Sequence, residues 1–290
     1  MGEPRILWDR WPHPAVLAGR WVAALDQAMN KGRDRRMKGV LAVLVLVSGA
    51  GVTGWILAAL PGRWAELVVL AVLVAQRALV DHVRAVGDAL RISVPSGRLM
   101  VARIVGRDTA AMDEAAVARA AVESAAENLS DGVVAPVFWY VLAGLPGLLV
   151  YKIVNTADSM IGHRTERHEA FGWAAARLDD VLNWIPARLT ALLIWLVSPQ
   201  LWSQAVWRLV RADARRHASP NAGWPEAVMA RALNIALAGP RIYGGRVMDA
   251  PFVNQTARRD IGAAEVAQAV RVLWQVWAVL LVVAMLGTAF

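Results

Sequence analysis

The run from Val40 to Leu60 contains no charged residue and matches the length of about 20 residues that a helix needs to cross a membrane's hydrocarbon core. The composition extends this constraint to the rest of the chain. Hydrophobic residues make up 57% and charged residues 19% of the 290 positions, whereas soluble proteins average about 45–50% and about 25%. The sequence therefore predicts a membrane protein and excludes an ordinary soluble enzyme domain.

A second apolar run, Leu67 to Val80, follows the short turn Pro61-Gly62-Arg63. The two runs predict a transmembrane hairpin over residues 39–81, and residues 270–290 form a further candidate span. Lys31 to Lys38 carries five basic residues and one acid, which by the positive-inside rule places this flank in the cytoplasm. Gly49, Gly51 and Gly54 in the first run indicate close helix packing.

Two other apolar segments, 133–154 and 187–210, are interrupted. The first contains Pro136 and Gly144-Leu145-Pro146-Gly147, and the second contains Ser198-Pro199-Gln200. Each segment fits either one kinked span or two short arms around a turn. We favour re-entrant or half-buried hairpins, because only these return both polar flanks to one side of the membrane.

The remaining segments have helical composition and lack the period-two alternation of strands. We predict an all-α, polytopic integral membrane protein that forms a single unit over 1–290. Within it, residues 82–269 form a catalytic region with cytoplasmic helical loops. The absence of cysteine excludes thiol catalysis and disulfides. The net charge of +8 fits anionic lipids, anionic substrates or nucleic acid, but no nucleic-acid-binding motif is present, so we expect no nucleic acid.

Acidic residues gather where helices are expected to end. The first helix is expected to be capped by Asp108 or Thr109 and closed by Gly132. Its last turns carry Glu123, Glu127, Asn128 and Asp131. Like charges four residues apart, together with acids at the negative end of the helix dipole, destabilise a helix. A cation should therefore compensate them.

The same pattern recurs twice. Asn155 and Asp158 precede Gly162, with His163 and Arg164 directly after it, and Asp179, Asp180 and Asn183 precede Pro186. Pairing with arginine would explain any one of these clusters. Three such clusters beside apolar segments favour Mg²⁺, which is commonly held by one or two carboxylates together with substrate phosphates.

Two loops suit anions. Arg215-Arg216-His217 precedes Ser219-Pro220-Asn221-Ala222-Gly223, which leads into a helix near Pro225, and Gly239-Pro240-Arg241 follows. A small-residue loop at a helix N-terminus can offer free N–H groups to phosphate. Neither loop is a Walker motif, and the arginine run is equally compatible with lipid headgroups.

Ordered motifs along nearly the whole chain resemble the adenosylcobinamide-phosphate synthase (CobD/CbiB) family of cobalamin biosynthesis. The motifs that carry the resemblance are His13-Pro14, Val101–Thr109, Glu123–Asn128, Asp131-Gly132, Tyr151-Lys152, Asn155-Thr156, Asp158–Met160, Gly162–Arg164, Ala176–Asp180, Asn183, Pro186–Arg188, Asp213, His217, Ser219–Gly223 and Pro225–Ala227.

The resemblance implies an ATP-dependent acid–amine ligase. It would join adenosylcobyrate to (R)-1-amino-2-propanol O-2-phosphate, or to aminopropanol, through an acyl phosphate, giving adenosylcobinamide phosphate. ATP and Mg²⁺ are the implied cofactors. Three sets of residues are the expected site: catalytic groups Glu123, Glu127, Asn128, Lys152, Asp158 and His163; substrate- and phosphate-binding groups Arg103, Arg107, Arg164, Arg188, Ser219, Asn221 and Gly223; and metal ligands Glu127, Asp131, Asp158, Asp179 and Asp180.

The resemblance also implies a multi-pass protein of the cell inner membrane whose active site faces the cytoplasm. The membrane-bound cobalamin synthase of later steps is an expected partner. Two alternatives remain open. One is a non-enzymatic membrane sensor or regulator resembling the ampicillin-resistance protein AmpE. The other is an ion-coupled transporter, which the position of the acids beside the apolar runs, rather than within them, disfavours.

Overall fold

A computed structural model describes residues 12–243 and 246–288. These residues divide into two compact units, each built from two separate stretches of chain. The first unit comprises the described residues up to Ala75 together with Asp131–Pro186, and the second comprises Gln76–Ser130 with the described residues from Ala187 onward. The single membrane-embedded unit predicted over 1–290 stays a prediction.

Helices dominate both units, so the all-α prediction is confirmed. The helices, in chain order, are α1 Pro14–Met29, α2 Arg35–Ala58, α3 Trp64–Leu73, α4 Gln76–Ile92, α5 Val94–Val101, α6 Glu114–Leu129, α7 Ala135–Ile161, α8 Trp173–Leu182, α9 Trp184–Leu196, α10 Gln204–Ala214, α11 Gly223–Ala232 and α12 Ala263–Thr288. A π-helical turn, Ser130–Val134, joins α6 to α7, and a 3₁₀ turn, Pro199–Leu201, follows α9.

Three of the described stretches are long and apolar enough to cross a membrane: Arg35–Ala58, Glu114–Ile161 and Ala263–Met285. The first and last coincide with predicted apolar runs. The membrane character that composition indicates is therefore also present as helices of suitable length.

In the first unit, α2 packs along α7 with no room for side chains at one crossing. A Cβ atom built on Gly54 would lie 2.5 Å from the Cα atom of Pro146, and one built on Gly49 would lie 2.7 Å from the ring of Trp21. Gly51 faces only Val150, at an ordinary 3.7 Å. Close packing, predicted from the three glycines, is thus observed at Gly54 and Gly49.

The apolar segment 133–154 takes the form of two arms around a turn. Ala143 and Gly144 have non-helical dihedrals, with φ 61° and ψ −153° at Gly144. The chain reverses there and packs closely against itself. A Cβ atom on Gly147 would lie only 2.5 Å from the carbonyl oxygen of Trp139. Pro136 lies in the first turn of α7 and does not interrupt it, since proline is tolerated at that position.

Segment 187–210 is also two helices, α9 and α10, separated by the 3₁₀ turn after Ser198. The second arm of the predicted 39–81 hairpin is not continuous. Helix α3 ends at Leu73, Val74 is extended, and α4 begins at Gln76. Ala75 donates its N–H to the carbonyl of Gly132 at 2.9 Å, which uses the hydrogen-bonding capacity freed by the break.

The predicted ends of α6 are wrong at both termini. The helix is capped by Asp113, which accepts a hydrogen bond from the N–H of Ala116 at 2.7 Å, and not by Asp108 or Thr109. Gly132 does not close it, because the backbone continues through the π-helical turn into α7. The predicted end of α7 at Gly162 is confirmed. Helix α8 ends before Pro186, as predicted, but Asn183 is its C-cap and not part of its last turn, and Pro186 lies within α9.

In the second unit, the amphipathic helix α4 packs against α5, α6 and α12. The segment after α11 departs from the helical prediction by forming two short antiparallel pairs. Strand β1 (Leu237–Ala238) pairs with β4 (Phe252–Val253), and β2 (Arg241–Tyr243) pairs with β3 (Arg246–Met248). Strands of two or three residues are too short to show the alternation of apolar and polar residues by which strands are recognised in a sequence.

Gly54→Ala should destabilise the protein by about 1–3 kcal/mol, because the added methyl group would overlap the backbone of Pro146. Gly51→Ala is the matched control in the same helix, and it should be neutral or slightly stabilising, since it adds a helix-favouring side chain where space exists. Thermal unfolding of the detergent-purified variants measures both changes. Equal effects of the two substitutions would contradict the packing described here.

Candidate active site

In the first unit, a hydrogen-bond network joins the ends of α7 and α8. The Tyr151 hydroxyl lies 3.1 Å from the carbonyl oxygen of Asp131 and 3.0 Å from Oδ1 of Asn183. The side-chain amides of Asn183 and Asn155 donate to the two carboxylate oxygens of Asp179, at 2.9 and 3.3 Å. The backbone reversal in α7 and the C-terminus of α8 thus bring together Asp131, Tyr151, Asn155, Asp179 and Asn183.

Asp158 and Asp180 lie beside this network. Burial, followed by the nearby charge of Asp158, raises the pKa of the Asp179 carboxyl to about 7. Asp180 is paired with Arg177 at 3.2 Å, but burial still raises its pKa. Asp158 accepts no hydrogen bond from any side chain within the described residues, and its carboxylate fills the space beside the C-cap Gly162.

Among residues 12–243 and 246–288, no three His, Asp or Glu side chains are close enough to hold a metal ion between them. Mg²⁺ does not require such a cage, because it keeps several waters and uses one or two carboxylates with substrate phosphates. The donor chemistry of Asp158 and Asp179 fits a metal ion that arrives with a nucleotide. The five predicted metal ligands remain predictions.

His163 and Arg164 follow α7 on its exposed end. The Nε2 atom of His163 lies 3.0 Å from the carbonyl oxygen of Ser159, so in one tautomer Nε2–H donates there and Nδ1 is left as a base. Arg164 is exposed and pairs with no described carboxylate. Lys152 points into a cavity of about 520 Å³ that Arg20 and Trp21 also line.

In the second unit, Glu123 is the centre of a buried ion cluster. Its Oε2 atom lies 2.7 Å from Nη2 of Arg107 and 3.1 Å from Nη2 of Arg241, and its Oε1 accepts the N–H of Ala238 at 2.7 Å. The side chains of Glu123 and Arg107 are 6% and 9% exposed. The cation expected near the acids of α6 is therefore present at Glu123, as two arginines.

The neighbouring predicted residues of α6 are more exposed than Glu123. Glu127 and Asn128 are exposed, and the Asn128 amide donates to the carbonyl of Ser124 in the same helix at 2.9 Å. Arg103 is exposed and pairs with no carboxylate in the described part of the chain. The structure thus brings together Glu123 and Arg107 of the predicted set, and leaves Arg103 apart from them.

The backbone N–H groups of the loop before α11 are hydrogen-bonded within the loop itself. The Ser219 hydroxyl accepts the N–H groups of Asn221 and Ala222, each at 3.2 Å, and Trp224 donates to the carbonyl of Asn221. These three N–H groups are therefore not free for an anion, contrary to the expectation for this loop. Gly223 is required here because a Cβ atom would lie 2.5 Å from that of His217.

Arg188 contacts three residues of the same loop and of the start of α11. Its guanidinium donates to Oδ1 of Asn221 at 3.1 Å and to the carbonyl of Pro220 at 3.3 Å, and it lies over the ring of Trp224 at 4.9 Å. A predicted phosphate-binding arginine and its predicted partner Asn221 thus lie in direct contact.

Glu226 is a buried acid that is not among the predicted site residues. It is 3% exposed, and its Oε2 atom lies 3.6 Å from Nε2 of His217 with no hydrogen-bond partner among the described residues. Burial raises the pKa of Glu226 well above its usual range and lowers that of His217, so both groups favour their neutral forms. The only signal in the sequence was its place in the Pro225-Glu226-Ala227 motif.

A family model described as CobD/Cbib protein matches residues 1–273. The chain belongs to the CobD/CbiB family. The cobalamin biosynthesis protein CobD of Rhizobium meliloti is 46% identical to this CobD/CbiB chain, over 94% of it and 88% of the relative. The CobD protein of Rhodobacter capsulatus is 48% identical, over 89% of this chain and 83% of the relative. That of Brucella anthropi is 43% identical, over 94% of this chain and 88% of the relative. No solved structure matches it.

Asp179→Asn should change how stability depends on pH. A carboxyl whose pKa is raised to about 7 stabilises the folded state fully below its unfolded pKa, and this contribution is lost as pH rises through 7. The melting temperature of the variant relative to the parent should therefore be more favourable at pH 8 than at pH 5. A difference that is identical at the two pH values would show that Asp179 titrates normally.

Arg107→Ala should destabilise the protein by about 3 kcal/mol, because it removes one partner of a buried carboxylate. Arg103→Ala removes the same charge from an exposed position of the neighbouring loop and should have little effect. Thermal unfolding at one fixed pH compares the two. A smaller loss for Arg107→Ala than for Arg103→Ala would contradict the buried cluster.

Proposed function

We propose that this chain acts in cobalamin biosynthesis as an ATP-dependent amide ligase of the inner membrane. It would join adenosylcobyrate to (R)-1-amino-2-propanol O-2-phosphate, or to aminopropanol, to give adenosylcobinamide phosphate. The single observation that carries the proposal is the family match over residues 1–273, together with relatives named cobalamin biosynthesis protein CobD at 43–48% identity.

The chemistry explains why such an enzyme needs charged groups of both signs. A carboxylate is a poor acyl donor because its oxygen leaves badly. Attack of that carboxylate on the γ-phosphorus of ATP releases ADP and forms an acyl phosphate, and attack of the amine on the acyl carbon then releases phosphate and forms the amide. The first step accumulates negative charge on the transferring group, so cations must surround it.

The first unit supplies the groups proposed for metal and proton handling. Asp158 is the foremost candidate for Mg²⁺ because no described side chain donates to its carboxylate, and Asp179 lies within its electrostatic reach. Asp131 and Asp180 are the other candidates in this unit, and Glu127, which belongs to the second unit, is proposed from the family motif alone. When bound, Mg²⁺ would neutralise charge on the nucleotide phosphates. His163, electrostatically close to Asp158, is proposed to accept the proton of the attacking ammonium.

Exposed and half-buried arginines are proposed to bind the anionic substrates. Arg164 and Arg103 are unpaired in the described part of the chain, which leaves their guanidinium groups available for phosphate. Arg188 and Asn221 already contact each other, as a preorganised pair would. Lys152 lines a cavity and can provide a further positive charge.

The inner membrane, with the active site on the cytoplasmic side, is the proposed location. The basic flank Lys31–Lys38 supports this orientation by the positive-inside rule. ATP is available on that side of the membrane. The membrane-bound cobalamin synthase of later steps is proposed as a partner, since both proteins would act on corrinoids at the same membrane.

Purified protein given adenosylcobyrate, ATP, Mg²⁺ and aminopropanol phosphate should release ADP and form an amide in equal amounts. Asp158→Asn and Glu127→Gln should lower turnover by about 100-fold or more, the loss typical of removing a group that stabilises charge in the transition state. Mass spectrometry of the corrinoid and an ADP assay measure both products.

Asp88→Asn, an exposed aspartate of α4, is the control and should retain full turnover. Folded protein that releases no ADP would favour a sensor or regulator of the AmpE type. Full turnover in both site variants, with ADP release intact, would refute the metal assignment and leave the ligase reaction standing.

A further inference from the structure

Helix α10 carries an uncompensated line of positive charge. Gln204, Arg208 and Arg211 of α10, with its C-cap Arg215, are spaced by three or four residues and so lie on one face. All three arginines are exposed, and none is paired with a carboxylate in the described part of the chain. Like charges at this spacing repel each other, so the face favours an anion.

Structural pairing does not account for this line. Asp213, the acid of the same helix, lies on another face and pairs with Arg231 at 2.7 Å. Arg211 and Arg215 complement the negative end of the helix dipole, but Arg208 lies a turn or more before that end. The charge on Arg208 therefore has no carboxylate partner among residues 12–243 and 246–288.

A cavity of about 640 Å³ opens beside Arg208. Three tryptophans line it, and Trp195 contacts both Trp202 and Trp207 with 6.1 Å between ring centroids. The indole N–H groups of Trp195 and Trp202 donate to backbone carbonyls, at 2.9 and 3.0 Å. The rings are thus fixed, and they leave an apolar surface in the cavity with the guanidinium at its edge.

We propose that this cavity and the arginine face of α10 form a binding site for an anionic phospholipid. An acyl chain would occupy the tryptophan-lined cavity, and the phosphate would bind Arg208 and Arg211. Tryptophan is enriched at the interface between headgroups and acyl chains, and clustered arginines attract anionic headgroups. Trp202 and Leu209 are 55% and 56% exposed, which suits contact with lipid rather than with a polar partner.

This site lies outside the groups proposed for the ligase reaction and does not depend on that proposal. It also gives a role to Arg215, which lies on the same face and which the proposed reaction leaves unused. The ligand class follows from the combination of a fixed apolar cavity and an adjacent phosphate-binding face. Nucleic acid would match the charge but not the apolar cavity.

Native mass spectrometry of the full-length protein in detergent, titrated with phosphatidylglycerol or phosphatidylcholine of identical acyl chains, tests the proposal. Phosphatidylglycerol should bind about five-fold more tightly or better. Arg208→Gln with Arg211→Gln should remove this preference, whereas Arg84→Gln, an exposed and unpaired arginine of α4, should leave it unchanged. Trp202→Ala should weaken binding of both lipids, because it opens the cavity wall.

Unchanged melting temperatures establish that each variant is folded. Equal binding of the two lipids by the parent protein would overturn the proposal, as would an Arg84→Gln effect as large as that of the double variant. If inorganic phosphate displaces phosphatidylglycerol completely and Trp202→Ala has no effect, the site binds phosphate alone and the lipid assignment is wrong.

Discussion

The backbone reversal at Gly144 determines the arrangement of the first unit. Its φ of 61° with ψ of −153° lies in a region that is essentially open only to glycine. Without the reversal, Tyr151 would lie about 30 Å along the helix from Asp131. With it, the Tyr151 hydroxyl reaches the Asp131 carbonyl and Asn183. One residue without a side chain therefore makes the carboxylate–amide network of Asp179 possible.

Some of this arrangement was predictable from the sequence. Charge-free apolar runs predict membrane-length helices because a helix satisfies all its backbone hydrogen bonds within the bilayer. The end of α7 at Gly162 follows from a local signal. The start of α6 was misplaced because Asp108, Thr109 and Asp113 are all suitable caps, whereas only Asp113 is the N-cap in the structure. Gly132 resembled a helix end because a π-helical turn has no recognisable sequence signal.

Long-range partners were beyond sequence reasoning. Arg241 follows Glu123 by 118 positions, and no periodicity connects them. The need for a cation near Glu123 was predictable from electrostatics, whereas its identity depends on how the segment after α11 folds. Glu226 was overlooked because a single glutamate in a short helix is usually solvated, and its burial is a property of the assembled unit.

The buried acids of the two units differ in the partners that neutralise their charge. Glu123 is neutralised by two arginines and a backbone N–H group, so its charge contributes to structure. Asp179 receives only neutral amides and has Asp158 as a neighbour, so its ionised form is disfavoured. The negative charge of Glu123 is thus neutralised, whereas that of Asp179 is not. Buried acids with such unfavourable electrostatic free energy are typical of functional sites.

Gly162 illustrates how a site can determine a residue that takes no part in chemistry. Its φ of −75° and ψ of −9° are open to every amino acid, so backbone conformation does not require glycine here. A methyl group would lie 2.0 Å from Oδ1 of Asp158. The space that a side chain would need is already occupied by this carboxylate and, at 2.7 Å, by the backbone carbonyl oxygen of Asp158. A larger residue at position 162 would therefore displace the proposed metal ligand together with the end of its helix.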